Sequence, residues 1–456
     1  MVMFQANTLR DMVDLEHGTI SREVFVNEEI YQQELEQIFA RAWLFIGHES
    51  QVPKNGDYVQ SKMGEEAVLL VRDRKGALHV FLNTCRHRGM KVCRYDEGNT
   101  LLFTCPFHGW SYDTDGRLVG VPEFQSAYHG ELEKEKWGLP EARIHNFYGS
   151  IWATWDPDAP SFEEYLGDFE QYLRPLFQGD DGRDNGVELI GGVHKWYMPS
   201  NWKFPSTSFQ SDGAHGSITH RSVNVAAIGP QGDADGGDRH PVRSKWPRVH
   251  LEVAMPGLGH SGHFTVEEAG APYTETWQTQ PEIEDYYREA HEAKMKRFAG
   301  QKLITGGGGV FPNMVYQGGG VIRKPIAVWH PAGVYTTECW RFYFVDRNAP
   351  QEVKDAMRRY YMRYAGPVGL TESDDMENWN YATPASKGTI ARRYPYNYQM
   401  GLGHEYVDPS IAPGRLTPHR AEQGQRNRFA RWLEFMQANN WGDMYPRSGG
   451  PKPLGY

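Results

Sequence analysis

The sequence predicts an α+β protein in which a small antiparallel β domain is inserted near the start of a larger domain of mixed helices and strands. Three observations support this prediction. Apolar residues at 27–43 recur with helical spacing, residues 43–158 contain short strand-like runs separated by turns, and the chain after 159 mixes both patterns. We therefore expect a β domain at 43–158 and a second domain built from 1–42 and 159–456.

The first predicted helix lies between Asn27 and Trp43, and Asn27 is a suitable N-cap. In the β domain, strands are predicted at Ala67–Val71, Leu78–Leu82, Leu101–Thr104 and Ser150–Trp155. Turns are predicted at Asp96–Asn99 and Asp113–Gly116, where Asp, Asn and Gly cluster.

Beyond the β domain, amphipathic helices are predicted around Val353–Tyr364 and Phe429–Met436. Strands are predicted at His250–Ala254, Ile326–His330 and Arg341–Val345. The segment Gly229–Arg243 has the composition of a loop, and the chain after Asp443 is rich in Pro and Gly and is expected to be extended.

Composition excludes several classes of protein. The 456 residues carry a net charge of −10, which argues against sequence-blind nucleic-acid binding. No apolar run approaches the roughly 20 residues of a membrane span, and Met1–Arg10 lacks the pattern of a signal peptide. Four cysteines form no disulfide framework and fit a reducing compartment, so we expect a cytoplasmic protein.

Two short cysteine–histidine motifs stand in the β domain. They are Cys85-Arg86-His87 and Cys105-Pro106-Phe107-His108, and each offers one thiolate and one imidazole. Such a set suits either a tetrahedral structural zinc or a Rieske [2Fe–2S] cluster. The pairing of one Cys with one His in each motif favours the Rieske cluster, since zinc fingers usually pair like with like. Glycines after both histidines would let backbone amides approach the cluster.

A second set of metal-binding residue types follows a hundred residues later. It contains Asp212, His215 and His220, and a carboxylate comes much later in Glu372-Ser373-Asp374-Asp375. Two histidines and one carboxylate on one face of an iron form the triad of non-haem oxygenases. The five-residue step between the histidines does not suit a regular helix, so we expect a break, which Gly213 or Gly216 would permit.

At this point the sequence resembles the α subunit of Rieske non-haem iron aromatic-ring-hydroxylating dioxygenases. Besides the two cysteine–histidine motifs, the resemblance rests on Asn201-Trp202-Lys203, Asp212-x-x-His215-x₄-His220, Phe311-Pro312-Asn313 and Glu372-Ser373-Asp374-Asp375-x-Glu377-Asn378-Trp379. It implies a cluster held by Cys85, His87, Cys105 and His108, and an iron held by His215, His220 and Asp375. It also implies that Asp374 and Glu372 are solvated or lie behind the ligands.

The resemblance implies a catalytic domain with a helix-flanked antiparallel sheet, and an assembly with small β subunits, usually α3β3. Electrons would come from NAD(P)H through a separate reductase and a ferredoxin, since Gly306–Gly309 lacks a nucleotide-binding pattern. Asp212 would bridge His108 of one subunit and His215 of its neighbour. Four basic residues near the cluster could steer an acidic ferredoxin, or could lie on a solvated loop or a subunit contact: Arg86, Arg88, Lys91 and Arg94.

The implied reaction adds both atoms of O2 to an aromatic ring and gives a cis-dihydrodiol. The resemblance places substrate-pocket positions at Ser208, Phe209, Gly307, Ala365 and Thr371. Small residues at Gly307, Ala365 and Thr371 would enlarge the pocket, unless Tyr316 or Phe311 refills the space. An enlarged pocket predicts a polycyclic arene of the phenanthrene, pyrene or fluoranthene type. Ser208 stands where the family usually has Asn, so an amide beside the iron is not expected.

Three alternatives remain open at this point. The substrate could be an aromatic carboxylate of the phthalate or salicylate type, for which Arg221 would be the candidate cation. The chain could be a monooxygenase of the same superfamily. It could also be a non-catalytic electron-transfer or zinc-binding module, although the Asp/His/His/Asp set of the second domain argues against that.

Overall fold

The chain leaves its first structural unit after Ile38 and returns to it at Pro160. The computed structural model describes residues 6–210, 212–226, 247–273, 281–317, 324–418 and 420–444. It divides the chain into a smaller unit, Phe39–Ala159, and a larger, discontinuous unit made of the segments before and after it. The predicted loop at Gly229–Arg243 and the tail from 445 lie outside the described residues.

The N-terminal segment of the larger unit contains short elements. They are α1 (Ala6–Met12), β1 (Val13–Asp14), β2 (Thr19–Ile20), α2 (Glu23–Val26) and α3 (Glu28–Glu34), followed by a π-helix at Leu35–Phe39. Asn27 caps α3, since its side chain accepts hydrogen bonds from the backbone of Glu29 and Ile30. The predicted N-cap is confirmed, and the helical segment ends at Phe39 rather than at Trp43.

The smaller unit consists of two antiparallel sheets. Its strands are β3 (Leu44–His48), β4 (Asp57–Met63), β5 (Glu66–Arg72), β6 (Leu78–Leu82), β7 (Glu97–Asn99), β8 (Leu102–Thr104), β9 (Ser111–Asp113), β10 (Leu118–Gly120), β11 (Glu141–Phe147) and β12 (Ser150–Thr154). One sheet has the order β3-β12-β11-β6-β5-β4-β7 and the other β10-β9-β8. All four predicted strands are confirmed.

One predicted turn of the smaller unit is wrong. Residues 97–99 of the predicted Asp96–Asn99 turn form β7, which pairs with β4 so that Gly98 lies opposite Tyr58. A Cβ on Gly98 would come within 2.7 Å of the Tyr58 hydroxyl, so the glycine serves a close approach rather than a turn. The predicted turn at Asp113–Gly116 connects β9 to β10, and Gly116 there has a φ of +82°.

In its described part, the larger unit continues with ten helices and is built around one nine-stranded antiparallel sheet. The helices are α4 (Phe162–Leu166), α5 (Glu170–Leu173), α6 (Lys203–Ser208), α7 (Gly216–Thr219), α8 (Arg221–Ala226), α9 (Pro281–Arg297), α10 (Gln351–Tyr364), α11 (Leu370–Ser386) and α12 (Gln423–Gln437), and α13 (Trp441–Met444) follows as a last turn. Short 3₁₀ turns occur in both units. Those of the smaller unit are Glu49–Gln51 and Lys134–Trp137, and those of the larger unit are Gly167–Phe169, Arg174–Phe177 and Ala391–Arg393.

The strands of this unit are β13 (Val187–Leu189), β14 (His194–Met198), β15 (Arg248–Ala254), β16 (Ser261–Glu268), β17 (Lys302–Val310), β18 (Met314–Tyr316), β19 (Pro325–Pro331), β20 (Thr337–Asp346), β21 (Tyr396–Asn397) and β22 (Arg415–Pro418). The main sheet has the order β13-β20-β19-β18-β17-β16-β15-β22, and β14 also pairs with β20. Helix α10 packs on β20, and α12 packs on β15 and β16. The three predicted strands and both predicted helices are confirmed, as is the helix-flanked antiparallel sheet.

The glycine run Gly306–Gly309 lies inside β17, opposite β16. A Cβ on Gly308 would lie 2.5 Å from the carbonyl oxygen of Ser261, so this run allows two strands to approach closely. Among the described residues, no helix combines the length and apolar character that crossing a bilayer requires.

Candidate active site and cluster site

Three side chains of the larger unit converge in a small triangle. The Nε2 atoms of His215 and His220 are 3.2 Å apart, and Oδ1 of Asp375 lies 3.5 Å from the first and 3.4 Å from the second. Ligand atoms about 2.1 Å from one metal ion, at angles of about 90–110°, lie roughly 3.0–3.5 Å apart. The spacing therefore fits one metal ion held on one face by two imidazoles and a carboxylate.

The two histidines reach the same point because the helix between them is one turn long. His215 precedes α7, and His220 follows it with φ −95° and ψ 22°, outside the helical region. Helix α8 begins afresh at Arg221. The expected break thus lies at His220 itself, whereas Gly216 is the first residue of α7. Gly213 lies in the irregular segment before it.

Helix α11 supplies the carboxylate from its first two turns. Asp375 is buried and Asp374 is partly exposed. Oδ2 of Asp374 lies 3.5 Å from Nδ1 of His220 and accepts a 2.6 Å hydrogen bond from the Ser222 hydroxyl. Asp374 therefore lies behind His220, on the side away from the triangle. The resemblance allowed Asp374 to be either solvated or behind the ligands, and this geometry matches the second.

The electrostatics of the triangle favour a bound cation. The pKa of Asp375 is raised to about 8, mainly by burial. The negative charges of Glu372 and Asp212 contribute to the rise, and the positive charges of His215 and Arg341 oppose it. Burial also lowers the pKa of His220, and the charge of His215 lowers it further. A divalent cation would stabilise the ionised carboxylate and the neutral imidazole that it needs as ligands. The donor set therefore fits an iron.

Asp212 lies beside His215. Its Oδ2 is 3.4 Å from Nδ1 of His215, and its Oδ1 accepts a 3.3 Å hydrogen bond from the backbone N–H of the same residue. Burial opposes ionisation of Asp212, but the nearby imidazole and the backbone N–H of His215 outweigh it and lower the pKa of the carboxyl group. Asp212 is thus an ionised acceptor on the side of the His215 ring that faces away from the triangle.

The two cysteine–histidine loops of the smaller unit share one backbone pattern. In each loop the cysteine N–H donates to the carbonyl five residues on, at Met90 and Trp110, and the glycine four residues on donates back to the cysteine carbonyl. Both glycines, Gly89 and Gly109, have a left-handed φ, of +75° and +73°. The two loops are therefore copies of one local structure.

These loops bring the four predicted cluster ligands together. Cys85 and Cys105 are buried, and the rings of His87 and His108 have their centroids 4.6 Å apart. Burial raises the pKa of the Cys105 thiol, and the backbone N–H groups of Phe107 and His108 oppose the shift. The buried Nδ1 of His87 has no hydrogen-bond partner in the described part of the chain. An unpartnered ring nitrogen in a loop that also carries a buried thiol fits a site for an iron–sulfur cluster.

Two further side chains, which the motifs did not single out, complete this site. Tyr112 places its hydroxyl 3.4 Å from Sγ of Cys85 and accepts the N–H of Arg86. The ring of Trp110 stacks on His87 at 5.1 Å with an interplanar angle of 7°. The four basic residues of the predicted ferredoxin patch are exposed: Arg86, Arg88, Lys91 and Arg94.

The predicted pocket residues lie in three environments. Ser208 accepts a hydrogen bond from Nε1 of Trp379, and the ring of Phe209 packs against Trp329 and Trp379 with centroids 5.9 Å from each. Ala365 and Thr371 are buried at the junction of α10 and α11, where the Ala365 carbonyl accepts the Tyr343 hydroxyl. Gly307 lies in β17 opposite His263.

Sequence reasoning missed two buried ion pairs that involve residues of its own motifs. Glu34 accepts hydrogen bonds from the Trp202 and Trp432 indoles and from the ammonium of Lys203. Glu372, expected to be solvated or behind the ligands, is buried and paired with the guanidinium of Arg341. Trp202 and Lys203 belong to a motif that was noticed, but no sequence pattern indicates partners more than a hundred residues away.

The chain is similar to known proteins along most of its length. Residues 42–136 match the Rieske [2Fe-2S] domain, and residues 187–437 match the catalytic domain of ring-hydroxylating α subunits. The chain is 36% identical to the biphenyl 2,3-dioxygenase α subunit of Rhodococcus jostii, over 95% of this chain and 92% of that one. It is 35% identical to a benzene 1,2-dioxygenase α subunit of Pseudomonas putida, over 96% and 95%.

The chain is also similar to solved structures over nearly its whole length. A naphthalene 1,2-dioxygenase variant bound to phenanthrene matches with a TM-score of 0.83 at 28% identity, over 97% of both chains. The naphthalene 1,2-dioxygenase from Rhodococcus sp. bound to indole matches with a TM-score of 0.79 at 32% identity, over 95% of this chain and 98% of that one.

Proteins of this kind are α subunits of multicomponent oxygenases that work with a β subunit, a ferredoxin and a reductase using NAD(P)H. The chain accordingly has a Rieske [2Fe–2S] cluster and a mononuclear iron as its cofactors. It belongs to the Rieske non-haem iron aromatic-ring-hydroxylating dioxygenases and is a catalytic α subunit of that family.

Proposed function

We propose that this chain converts neutral polycyclic arenes of the phenanthrene, pyrene or fluoranthene type to cis-dihydrodiols. The balanced reaction consumes the arene, O2, NAD(P)H and one proton, and it yields the dihydrodiol and NAD(P)⁺. The observation that carries the choice of a neutral substrate is the buried pair of Arg341 and Glu372 beside Phe209.

An aromatic carboxylate would need a buried cation to offset its desolvation. Arg221, the cation considered from the sequence, is exposed on α8. Arg341 is buried and lies under the ring of Phe209, but Glu372 already neutralises its charge. A second carboxylate at this point would meet a pair with no net charge, so an uncharged ring is favoured.

The size of the substrate is inferred from the small side chains. Ala365, Thr371 and Gly307 occupy positions at which the family often has bulky residues, and smaller groups leave room for additional rings. Tyr316 and Phe311, the two residues that would refill this space, make other contacts. Tyr316 donates its hydroxyl to the Tyr172 carbonyl, and Phe311 stacks on Phe435 at 5.1 Å.

The site residues are assigned as follows in this proposal. His215, His220 and Asp375 hold the iron, and Cys85, His87, Cys105 and His108 hold the cluster. When bound, these groups supply electron delivery and the activation of O2. Asp374 accepts the Nδ1 proton of His220 and so keeps Nε2 of that ring free as a ligand. Asp212 lies 3.4 Å from Nδ1 of His215 without a hydrogen bond to the ring, so its role is in the connection between subunits rather than in holding the iron.

We also propose an α3β3 assembly in which Asp212 accepts a hydrogen bond from the His108 imidazole of a neighbouring copy. The cluster domain is placed at 43–158, and the catalytic domain at 1–42 and 159–456. An acidic ferredoxin would meet the exposed basic residues near the cluster loops. The expectation of a cytoplasmic protein stays a prediction.

The proposal is tested by turnover of the full chain with its β subunit, a ferredoxin, a reductase and NADH. A mixture of phenanthrene, pyrene, fluoranthene, phthalate and salicylate is supplied, and the products are weighed by mass spectrometry. We expect polycycles that gain two oxygens and two hydrogens. Hydroxylated acids beside untouched polycycles would refute the neutral-substrate proposal.

The iron assignment is tested separately with Asp375→Ala. This variant should lose the mononuclear iron and keep the visible spectrum of the cluster, because the two sites share no ligand. Iron at the wild-type level in the variant would show that Asp375 is not the third ligand.

A further inference from the structure

The guanidinium of Arg341 is enclosed in the larger unit. The residue is 0% exposed, and its Nη2 donates to Oε2 of Glu372, which is itself 1% exposed. Nε and Nη1 of Arg341 and Oε1 of Glu372 have no hydrogen-bond partner in the described ranges. The pair is therefore buried but only partly satisfied.

Arg341 contacts both segments of chain that contribute to the triangle. Its guanidinium carbon lies 5.3 Å from the ring centroid of Phe209, six residues before His215. Its carboxylate partner, Glu372, lies on α11 three residues before Asp375, so the two acidic side chains are on the same side of the helix. One side chain thus connects the histidine segment to the aspartate helix.

Strand β20 gives Arg341 a fixed base for these contacts. Residues 337–346 are buried along the whole strand, which pairs with β19 and β14 on its two sides. Trp329 of β19 lies opposite Cys339, and its ring centroid is 5.5 Å from the Arg341 guanidinium carbon. The planar guanidinium therefore lies near two aromatic rings, a contact that Arg makes well and Lys makes poorly.

The composition of the pair is unfavourable for stability alone. Buried ion pairs are often no more stabilising than apolar residues of the same size, and unpaired buried N–H groups cost free energy. Such a pair is therefore weak evidence of a stabilising role. Its contacts with Phe209 and with helix α11 lie next to the residues that form the triangle. A role in geometry explains its position better than a role in folding.

We propose that Arg341 and Glu372 are positioning residues that set the distance between the His215–His220 segment and Asp375. This inference rests on the proposed assignment of those three residues to the iron. The pair acts through Phe209 and through the first turn of α11 and does not itself hold the metal.

The test is the affinity of the full-length chain, freed of its mononuclear iron and assembled with its β subunit, for Co²⁺ in competition with a chelator. In Arg341→Met/Glu372→Leu, we expect the affinity to fall 10- to 100-fold, the range found when groups behind metal ligands are changed. The melting temperature should stay at or above that of the wild type. Arg341→Lys, which keeps the charge and the pairing, should lose less affinity and supplies a folded variant if the double variant does not accumulate.

A matched control is the buried pair of Asp180 and Lys324. Apart from each other, their side chains hydrogen-bond to Tyr286 and Gln178, which lie outside the segments of the triangle. Asp180→Leu/Lys324→Met should keep the wild-type affinity for Co²⁺. Wild-type affinity in the Arg341/Glu372 double variant, or in Arg341→Lys if only that protein is obtained, would overturn the positioning role. Asp375→Ala separates the two proposals, because Co²⁺ binding that survives in it would refute the iron assignment instead.

Discussion

Nδ1 of His220 lies 3.5 Å from Oδ2 of Asp374, on the side of the imidazole ring that faces away from the triangle. The Ser222 hydroxyl donates to the same carboxylate oxygen at 2.6 Å and holds it in place. A carboxylate behind a metal-binding imidazole fixes the tautomer and the orientation of the ring. Under the proposed assignment, the adjacent aspartates Asp374 and Asp375 have different tasks: Asp374 orients a histidine, and Asp375 binds the iron.

This difference in tasks predicts that Asp374→Ala weakens iron binding, whereas Asp375→Ala removes the iron. Asp374→Ala should weaken iron binding by about 10- to 100-fold and leave the site loadable at high iron concentration, because the ligands remain. Iron content is measured after dialysis against graded chelator, with Ser222→Ala as a milder control. Asp374→Ala that retains iron as well as the wild type would show that His220 is oriented by other contacts.

Asp212→Ala is expected to separate metal loading from turnover. Asp212 is not a member of the triangle, so the variant should keep both its iron and the visible spectrum of its cluster. Dihydrodiol formation should fall by at least two orders of magnitude, because the proposed hydrogen-bonded connection from a neighbouring His108 is removed. Single-turnover oxidation of the reduced cluster, followed by absorbance, is the measurement. An unchanged rate would exclude the connecting role.

Ala365→Phe is expected to discriminate between substrates by ring number. The added ring would occupy space at the α10–α11 junction, and turnover of pyrene should fall at least tenfold more than turnover of naphthalene. Ala365 is 1% exposed, so overpacking is expected to cost about 1–3 kcal/mol. The melting temperature is therefore measured in parallel, and Ala365→Leu serves as an intermediate step. Equal losses for both arenes would contradict the enlarged pocket.

His260 predicts a pH dependence of stability. Burial lowers its pKa to about 3, its Nε2 lies 2.8 Å from the Tyr165 carbonyl oxygen, and its Nδ1 accepts the Phe311 N–H. The neutral ring is thus required in the folded state. Because the folded pKa lies below the unfolded value of 6.5, unfolding takes up a proton between pH 6.5 and 3, and stability falls as the pH is lowered through this range.

Between pH 7 and pH 5 this single residue should cost about 2 kcal/mol of unfolding free energy. His260→Gln, which keeps a donor but does not titrate, should be less stable at pH 7 and lose less on acidification. Urea unfolding of both proteins at the two pH values gives the difference. Carboxyl groups titrate in both, so equal losses would show that His260 does not contribute.

Local patterns were sufficient to predict much of this molecule. Asn27 as a cap, four strands of the smaller unit and the pattern of the two cysteine–histidine loops all depend on residues a few positions apart. The Asp96–Asn99 turn failed because the reason for Gly98 is the ring of Tyr58, forty residues earlier in the chain. Turn composition cannot distinguish a glycine needed for a bend from one needed for a close approach.

The contacts behind the site could not be predicted in the same way. Glu34 and Lys203, or Arg341 and Glu372, are charged residues that composition assigns to the surface. Their burial depends on the sheet and helices that bring them together, and nothing in the segment of each residue indicates its partner. The break at His220 was expected from helical geometry, but its position depends on the start of α8 and could not be read from the glycines.

The two ends of the smaller unit lie side by side. Strand β3, near its beginning, pairs with β12, near its end, so that Leu44 lies opposite Ala153, and Thr154 donates its hydroxyl to the Arg41 carbonyl. The chain therefore enters and leaves this unit at neighbouring points. Gain or loss of the whole unit would change the length of a single connection in the larger unit and preserve the order of all its other elements. This arrangement explains how a cluster-bearing module can be combined with an oxygenase without rebuilding either one.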